Sequence, residues 1–286
     1  AVVRDDIHPQ SGGGVKSRKS AYYARHMHNK GFNACVTTGG IQSNHNRAIA
    51  LMCAKNGWRC HIVYHGTRER FEAEKGNALL VRKSGATYEF VEAEQIGPAM
   101  DSAMNRLKAE GLSPMYIHGG GHDLPGGIAL VNAIKQLKAK CDSDGYKPDY
   151  IFHASGTGST QAGVAVGLDL VGWSDVKLIG ISVARQKERG TQVIEEFANM
   201  LSDYYGLGRN YKGRINFNID YLCGGYEHYT PEMAEFLNDV MKSTGLMFDT
   251  TYSGKALYGM NDYLNRNNIN GNVLFWHTGG LMNLMK

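Results

Sequence analysis

The residues with the clearest chemistry lie at 156–163, in the sequence G-T-G-S-T-Q-A-G, directly after a predicted strand at 150–153 and before a predicted helix. Glycines let backbone amides turn toward one point, hydroxyl groups add further donors, and the N-terminus of the helix carries partial positive charge. The segment therefore favours an anion, and a phosphate above all, over a glycine-rich turn that binds nothing.

Two alternative kinds of phosphate site can be tested against this loop. The loop of nucleoside triphosphatases needs Gly-Lys-Ser/Thr, which residues 156–163 lack. A dinucleotide fingerprint needs a glycine where Gln161 stands and an acidic residue roughly 20 positions later. Residues 182–185, at the end of the next predicted strand, contain no carboxylate. The hydroxyl-rich loop therefore favours a single terminal phosphate monoester.

A second segment, residues 39–47 (G-G-I-Q-S-N-H-N-R), has the same order of strand, turn and helix. Ser43, Asn44 and His45 crowd the predicted helix start, where they would bind a carboxylate. The segment fits equally well a capping turn in which Ser43 only satisfies helix amides. Two anion sites on separate turns suggest a ligand with a phosphate at one end and a carboxylate at the other.

A third segment, residues 11–19 (S-G-G-G-V-K-S-R-K), places Lys16 just after three glycines, at the edge of a helix predicted to begin near Ser17. A lysine presented into a cleft in this way can act as an amine nucleophile. Most lysines are solvated surface groups, so this segment alone does not decide between the two interpretations.

The elements that must position these residues alternate between short apolar or β-branched runs and longer segments of helical period. This order is typical of βα units and predicts an α/β fold with a mainly parallel sheet. Helix ends are predicted at Ser43, Gly57, Ser159 or Thr160, Pro231 and Gly245. The predicted strands span residues 34–38, 60–64, 87–91, 115–118, 150–153, 178–183, 217–222 and 272–276.

Composition excludes several classes of protein. The net charge of +4 comes from scattered residues, which argues against a nucleic-acid partner. The longest apolar run, residues 48–54, is far shorter than the roughly 20 residues of a membrane-spanning helix, so we expect no membrane contact. The five cysteines are odd in number and show no C-x-x-C spacing. We therefore expect a reduced, cytoplasmic protein without a metal site.

Glycine is the unusual residue, at 36 of 286 positions. Average composition contains roughly 7% glycine, so the chain has an excess. Many of the glycines cluster just after predicted strands, and open parallel sheets bind ligands at the carboxyl ends of their strands. The distribution predicts a small-molecule site assembled from several loops.

Six ordered segments together resemble one enzyme family, the D-cysteine desulfhydrases and 1-aminocyclopropane-1-carboxylate deaminases among the pyridoxal-phosphate enzymes of fold type II. The resemblance covers nearly the whole chain. The matching segments are residues 4–6, 13–19, 39–47, 156–163, 249–260 (D-T-T-Y-S-G-K-A-L-Y-G-M) and 277–280 (H-T-G-G). The resemblance implies pyridoxal 5'-phosphate as cofactor, held between two domains with open, twisted, mainly parallel sheets flanked by helices.

The resemblance also implies roles for individual residues. Lys16 would be the Schiff-base lysine, Asn44 would reach the hydroxyl of the cofactor ring, and Thr278 would face the pyridine nitrogen. Ser43 would bind the substrate carboxylate with Asn44 and His45, and would also handle protons. The cofactor phosphate would be held by Gly156, Thr157, Gly158, Ser159 and Thr160. Tyr252 would be a catalytic tyrosine, and Tyr226, 26 positions earlier, would lie against the cofactor ring.

Within this family, three features favour the desulfhydrase branch. These are His45 after Ser-Asn, the opening Arg4-Asp5-Asp6, and Ser253 where the deaminases typically have glutamate. The resemblance thus implies β-elimination of D-cysteine to pyruvate, hydrogen sulfide and ammonia. One alternative is 1-aminocyclopropane-1-carboxylate deamination. The other is elimination from another β-substituted amino acid such as L-cysteate, because Val15 and residues 119–123 depart from the family pattern.

Two further alternatives come from other classes, a dinucleotide-binding protein and a non-catalytic ligand-binding relative. Gln161 disfavours the first, and the presence of Lys16, Ser43 and Tyr252 disfavours the second. The resemblance implies a large cofactor-binding domain from residues 1–19 and 124–286, and a small inserted α/β domain from residues 20–123. It further implies a small amino-acid substrate and a homodimer.

Overall fold

The structure is a computed structural model that describes residues 1–285; Lys286, the last residue of the predicted large domain, lies outside the described residues. The strands are β1 Val2–Arg4, β2 Ala34–Gly39, β3 Arg59–His65, β4 Thr87–Val91, β5 Pro114–Ile117, β6 Tyr150–Ser155, β7 Lys177–Ser182, β8 Asn216–Asn218 and β9 Val273–His277. The helices are α1 Val15–Lys30, α2 Asn44–Asn56, α3 Arg68–Ala73, α4 Gly76–Lys83, α5 Ile96–Ala109, α6 Leu124–Ser143, α7 Ser159–Leu170, α8 Lys187–Tyr204, α9 Pro231–Thr244 and α10 Ser253–Arg266. Short 3-10 turns lie at Asp5–Ile7, Ala93–Gln95 and Leu281–Met285. The predicted α/β fold is confirmed.

The chain divides into two compact units. The first unit contains Ala1–Ile7 and Gly127–Leu281, and the second contains His8–Gly126 and the chain from Met282 on. These bounds differ from the domain bounds predicted at 19/20 and 123/124, since α1, with Lys16, belongs to the second unit. Hydrophobic periodicity locates a helix but does not indicate against which sheet it packs.

The first unit is built on a parallel sheet with strand order β1-β9-β6-β7-β8. Its core includes Phe152, Ile179 and Phe275, all buried. Strand β8 ends at Asn218, four residues before the predicted end at 222, because the side chain of Asn218 accepts a hydrogen bond from the amide of Asp220 at 2.8 Å. Such a local bond turns the backbone out of the strand direction.

The second unit has its own parallel sheet with strand order β4-β3-β2-β5. One core cluster includes Ile62, Tyr64 and Phe71, all fully buried. Strands buried on both faces read as continuous apolar runs, which is why the sequence showed them clearly. Across residues 1–285, none of the helices has both the length and the apolar content needed to cross a bilayer.

Several predicted helix ends are confirmed by their capping geometry. The Ser43 hydroxyl accepts the amide of Asn46 at the start of α2, and Gly57 closes that helix with a left-handed φ of 68°. Helix α9 begins with Pro231 after a Thr230 cap and closes at Gly245 with φ 71°. The glycine conformation costs little there because no Cβ is present.

Candidate active site

The glycine-rich loop at 156–160 lies between the end of β6 and the first turn of α7. Gly158 precedes the helix with φ +93°, and a Cβ there would lie 2.6 Å from Cγ1 of Ile194. Ser159 and Thr160 are buried in the first turn, which contains no acidic residue. The first amides of a helix have no partners within it, so the loop presents amides and hydroxyls at a positive helix end.

A second observation on this loop points to a missing partner. The hydroxyl of Ser155, at the end of β6, is buried and has no hydrogen-bond partner among residues 1–285. A buried polar atom without a partner costs roughly 1–3 kcal/mol, so such atoms are rare unless a ligand or water satisfies them. The donor set and the orphaned hydroxyl together fit an anion such as a phosphate monoester.

Gln161 shows why the loop is not a dinucleotide fingerprint. The third glycine of that fingerprint lets a helix pack closely against a strand. Here the Gln161 side chain fills that space: its amide donates to the carbonyl of Asn216 at 2.7 Å, and a Cβ on Gly180 would lie 1.9 Å from its oxygen. The side chain of Gln161 thus fills a space that a dinucleotide-binding loop keeps empty by having a glycine at this position.

Tyr226 and Tyr252, which the resemblance pairs, are in contact in the first unit. Their hydroxyl groups form a short hydrogen bond, and their rings meet edge to face with centroids 5.8 Å apart. Burial and the neighbouring Tyr226 raise the pKa of Tyr252 well above its ordinary value. Tyr252 therefore keeps its proton at neutral pH and is suited to act as a hydrogen-bond donor.

Lys255 holds the loop that carries Tyr226. Its side chain is fully buried, and its ammonium group donates to the carbonyls of Leu222 at 2.8 Å and Gly225 at 2.6 Å. Lys255 lies within the matching segment 249–260, but its residue type and position alone did not indicate this role. The available signal was a lysine flanked by glycine and alanine within that matching segment.

Asp249 is a second residue that the sequence analysis missed. Its buried carboxylate accepts the amides of Thr251, Tyr252 and Ser253 at 2.8–3.0 Å, and also the hydroxyl of Ser253 at 2.7 Å. A Cβ on Gly280 would lie 2.3 Å from the same carboxylate. Asp249 therefore fixes the turn that carries Tyr252 next to the loop that follows Thr278.

Thr278 directly follows β9 and is 9% exposed. The preceding His277 is fully buried, and its Nε2 bonds the carbonyl of Met247 at 2.7 Å. The backbone on both sides of Thr278 is thus held in place, by His277 before it and by the close approach of Gly280 to Asp249 after it. This leaves a nearly buried neutral hydroxyl at a fixed position.

Lys16 is the second residue of α1, in the second unit, and is half-buried. Its ammonium group donates to the carbonyl of Gly120 at 2.7 Å, and Lys19, one turn later, reaches the same oxygen at 3.4 Å. Burial lowers the pKa of Lys16 to about 8. About one tenth of Lys16 is therefore uncharged at pH 7 and about half at pH 8, far more than for an ordinary lysine, and the uncharged amine is the form that a nucleophile or a base requires.

The segment Gly119–Gly121, which had no clear role in the sequence, contributes this carbonyl. Gly121 has a left-handed φ of +71°, and a Cβ there would lie 3.2 Å from the side chain of Lys19. The glycines thus allow backbone to approach two lysines closely.

Ser43, Asn44 and His45 lie together at the start of α2. Because the Ser43 hydroxyl accepts from Asn46, its own proton remains available for donation. Asn44 Oδ1 accepts from Arg47 at 2.8 Å, so the amide NH₂ of Asn44 faces away from the guanidinium and is free to act as a donor. The turn therefore combines the helix amides with two side-chain donors.

The His45 side chain points into the second unit rather than outward. Its Nε2 lies 2.9 Å from Thr37 Oγ1, and that hydroxyl donates to the carbonyl of Ile117 at 2.8 Å. Thr37 has one proton, so Nε2 must be the donor to Thr37. Burial, and then the nearby Lys16 and Lys19, lower the pKa of His45 well below its ordinary value. The neutral imidazole positions the turn, and only its backbone amide is suited to meet an anion.

Arg47 is the most connected residue of this turn and was also missed. Its guanidinium, 1% exposed, donates to the carbonyls of Ser11 at 3.0 Å and Gly13 at 2.6 Å. It also donates to Asn44 and Asn77, both at 2.8 Å. Arg47 therefore links the glycine loop before Lys16 to the turn at Asn44.

The predicted site residues fall into two groups. Lys16, Ser43, Asn44 and His45 belong to the second unit, whereas residues 156–160, Tyr226, Tyr252 and Thr278 belong to the first. Each group is organised by hydrogen bonds within its own unit, through Arg47 in the second and through Asp249 and Lys255 in the first.

Comparison with known proteins adds independent findings. A family model described as pyridoxal-phosphate dependent enzyme matches residues 2–279. A Pyrococcus abyssi protein named "Putative 1-aminocyclopropane-1-carboxylate deaminase" is 30% identical over 285 residues, covering 98% of this chain and 84% of the relative. D-cysteine desulfhydrase of Klebsiella pneumoniae is also 30% identical, covering 98% of this chain and 86% of the relative. The crystal structure of an ACC deaminase homologue matches with a TM-score of 0.90 at 29% identity, covering 99% of this chain and 85% of that chain.

Proposed function

The chain belongs to the pyridoxal-phosphate dependent enzyme family, and from that premise we propose that it is a lyase that converts D-cysteine to pyruvate, hydrogen sulfide and ammonia. Two of its relatives are named as a 1-aminocyclopropane-1-carboxylate deaminase and a D-cysteine desulfhydrase. The choice of D-cysteine as substrate is the proposal.

The observation that supports catalysis most directly is the state of Lys16. Its amine is held at the start of α1 by the Gly120 carbonyl, and burial lowers its pKa to about 8. An uncharged lysine amine can bond a carbonyl carbon and can then accept a proton at physiological pH. A non-catalytic ligand-binding relative would not need this arrangement.

The residues present fit pyridoxal phosphate. We assign the phosphate to residues 156–160, where helix amides, hydroxyls and the orphaned Ser155 oxygen lie close together. We assign the ring hydroxyl to the Asn44 amide and the ring nitrogen to the Thr278 hydroxyl. The bound cofactor supplies an electron sink for the negative charge that forms when the Cα–H bond of the substrate breaks.

The residues of this chain would bind the substrate and move protons as its Cα–H bond breaks. The amides at the start of α2 and the Ser43 hydroxyl would hold the substrate carboxylate. Lys16 would take the α-proton as the general base, with Ser43 as the alternative. Tyr252, whose raised pKa keeps it protonated, would donate a hydrogen bond to the leaving sulfur, and Tyr226 would orient its hydroxyl.

Ser253 supports elimination from D-cysteine over the deaminase alternative. Its side chain is fully buried and bonded to the carboxylate of Asp249. A glutamate, which deaminases typically have at this position, would bring a second carboxylate against Asp249. This chain has Ser253 instead and therefore has no acidic side chain here. The deaminase reaction remains the second candidate because a relative of that name matches at the same identity.

A keto-acid release assay with the holoenzyme distinguishes the candidates. The panel contains D-cysteine, L-cysteine, β-chloro-D-alanine, D-serine, L-cysteate and 1-aminocyclopropane-1-carboxylate. We expect pyruvate with sulfide from D-cysteine, and loss of turnover in Lys16→Ala. Release of 2-oxobutyrate from the cyclopropane substrate would instead identify a deaminase, and unchanged turnover in Lys16→Ala would refute the role of the lysine.

A further inference from the structure

Three cysteines meet at one point in the core of the second unit. Cys35 in β2 is the register partner of Cys60 in β3, and Cys53 lies near the end of α2. The three Sγ atoms lie within 4.8 Å of one another, with 3.4 Å between Cys35 and Cys53 and 3.9 Å between Cys35 and Cys60. A metal–thiolate bond of about 2.3 Å places the sulfurs of a three-coordinate ion about 4 Å apart, so the thiols already have ligand spacing.

The surroundings of this cysteine cluster restrict the charge of an ion. Neighbouring core side chains, such as Ile49, Ile62 and Phe71, are apolar, and within residues 1–285 the cluster contains no histidine or carboxylate. Three thiolates leave a monovalent ion with two excess negative charges and a divalent ion with one. A buried unpaired charge costs several kcal/mol, whereas a trivalent ion leaves the site neutral.

We propose that Cys35, Cys53 and Cys60 form a binding site for a trivalent thiophilic ion of the arsenic or antimony type, held by three sulfur ligands and no fourth. Soft thiolate ligands select soft ions, and three-coordination needs no space for water in the core. The proposal does not depend on the proposed reaction, because the cluster contains none of the residues assigned to the cofactor or substrate.

The binding reaction balances without an oxidant. Arsenite, As(OH)₃, exchanges its three As–O bonds for three As–S bonds, and each thiol proton leaves with a hydroxide as water.

Occupancy would link three elements of the second unit. Cys35, Cys60 and Cys53 lie on β2, β3 and α2, so one ion would cross-link two adjacent strands and the helix packed on them. A ligand that binds the folded state raises the unfolding temperature in proportion to the logarithm of its concentration over its Kd. We expect arsenite to raise the unfolding temperature of the holoenzyme.

Native mass spectrometry of the wild-type holoenzyme with arsenite tests the site directly. We expect one adduct whose mass gain equals one arsenic atom less three hydrogen atoms, which counts three As–S bonds. No adduct, or a gain that retains a hydroxyl on arsenic, would overturn the proposal. Preferential binding of zinc or cuprous ion over arsenite would also overturn it, because the charge argument would then fail.

Matched variants locate the bound ion. Cys53→Ala and Cys60→Ala should lose the three-sulfur adduct, whereas Cys141→Ala and Cys223→Ala should keep it, since those two cysteines lie outside the cluster. The visible absorption band of the bound cofactor checks that each variant is folded. An unchanged adduct in Cys53→Ala or Cys60→Ala would place the ion elsewhere and contradict the assignment.

Discussion

Arg47 shows how a buried cation can position residues without contacting a substrate. Its guanidinium donates to two carbonyls of the loop before Lys16 and to Asn44 and Asn77. Arginine has five donors and no acceptor, so each of these bonds fixes the orientation of its partner. The orientation of the Asn44 amide, and hence its ability to donate to a ring hydroxyl, depends on Arg47.

Arg47→Met should weaken cofactor binding by about tenfold or more. Several buried acceptors would lose their donor, at roughly 1–3 kcal/mol for each unsatisfied group, and the loop before Lys16 would be released. The Kd for pyridoxal phosphate can be measured by titration of the cofactor-free enzyme. Arg25→Met, at an exposed position of α1, is the control. Equal affinity in the two variants would show that Arg47 does not organise the site.

Lys16 should set the pH dependence of cofactor capture. Its pKa of about 8 means that the nucleophilic, neutral amine forms as the pH rises through that value. The rate at which the cofactor-free enzyme bonds pyridoxal phosphate should rise up to about pH 8 and then level off. Stopped-flow absorbance measures this rate, with Lys16→Ala as the blank. A rate that continues to rise toward the ordinary lysine pKa of about 10.4 would contradict the burial argument.

At the scale of elements, the loop between β6 and α7 depends on one backbone conformation and one close contact. Gly158 has φ +93°, and a Cβ there would lie 2.6 Å from Ile194. Gly172, just after α7, has φ +75° but open space around it. The two positions therefore separate the cost of a left-handed backbone from the cost of displacing α8, which contains Ile194.

Gly158→Ala should raise the Kd for pyridoxal phosphate by at least about tenfold, because the loop must shift away from Ile194 and its amides turn from their common point. Gly172→Ala should lose only about 1 kcal/mol of stability and keep its affinity. Isothermal titration with the cofactor and thermal unfolding measure the two effects. Normal affinity in Gly158→Ala would argue against the loop as the phosphate site.

The elements could be predicted from the sequence more completely than the contacts between them. The buried strands read as apolar runs, and the helix ends at Ser43, Gly57 and Gly245 involve only neighbouring residues. Arg47, Asp249 and Lys255 were missed because a charged residue is by default expected on the surface. Most acceptors of Arg47 and Lys255 are distant residues or backbone carbonyls, which leave no mark in the pattern of residue types. Asp249 accepts mainly backbone amides, which every residue except proline offers.

For the whole molecule, buried lysines make stability depend on pH. Burial lowers the pKa of Lys16 to about 8 and that of Lys19 well below its ordinary value. Between those values and the unfolded pKa of about 10.4, the unfolded chain binds more protons than the folded one. Stability therefore rises with pH in this window and is lost as the pH falls toward the folded pKa values.

Urea unfolding of the cofactor-free protein at several pH values checks this dependence. The free energy of unfolding should increase from neutral pH to about pH 10. Lys19→Met should flatten the slope, because its fully buried side chain would no longer titrate. Lys108→Met, at an exposed position of α5, should keep the wild-type slope. A wild-type slope in Lys19→Met would show that Lys19 is charged in the folded protein.

The pairing of β1 with β9 has a consequence for biosynthesis. Strand β9 lies between β1 and β6, so the sheet of the first unit joins residues 2–4 to residues 273–277. The four strands of the second unit, by contrast, are all complete by residue 117. Domains fold during translation once their residues have left the ribosome. We expect the sheet of the second unit to fold on the nascent chain, whereas β1 remains unpaired until β9 has been synthesised.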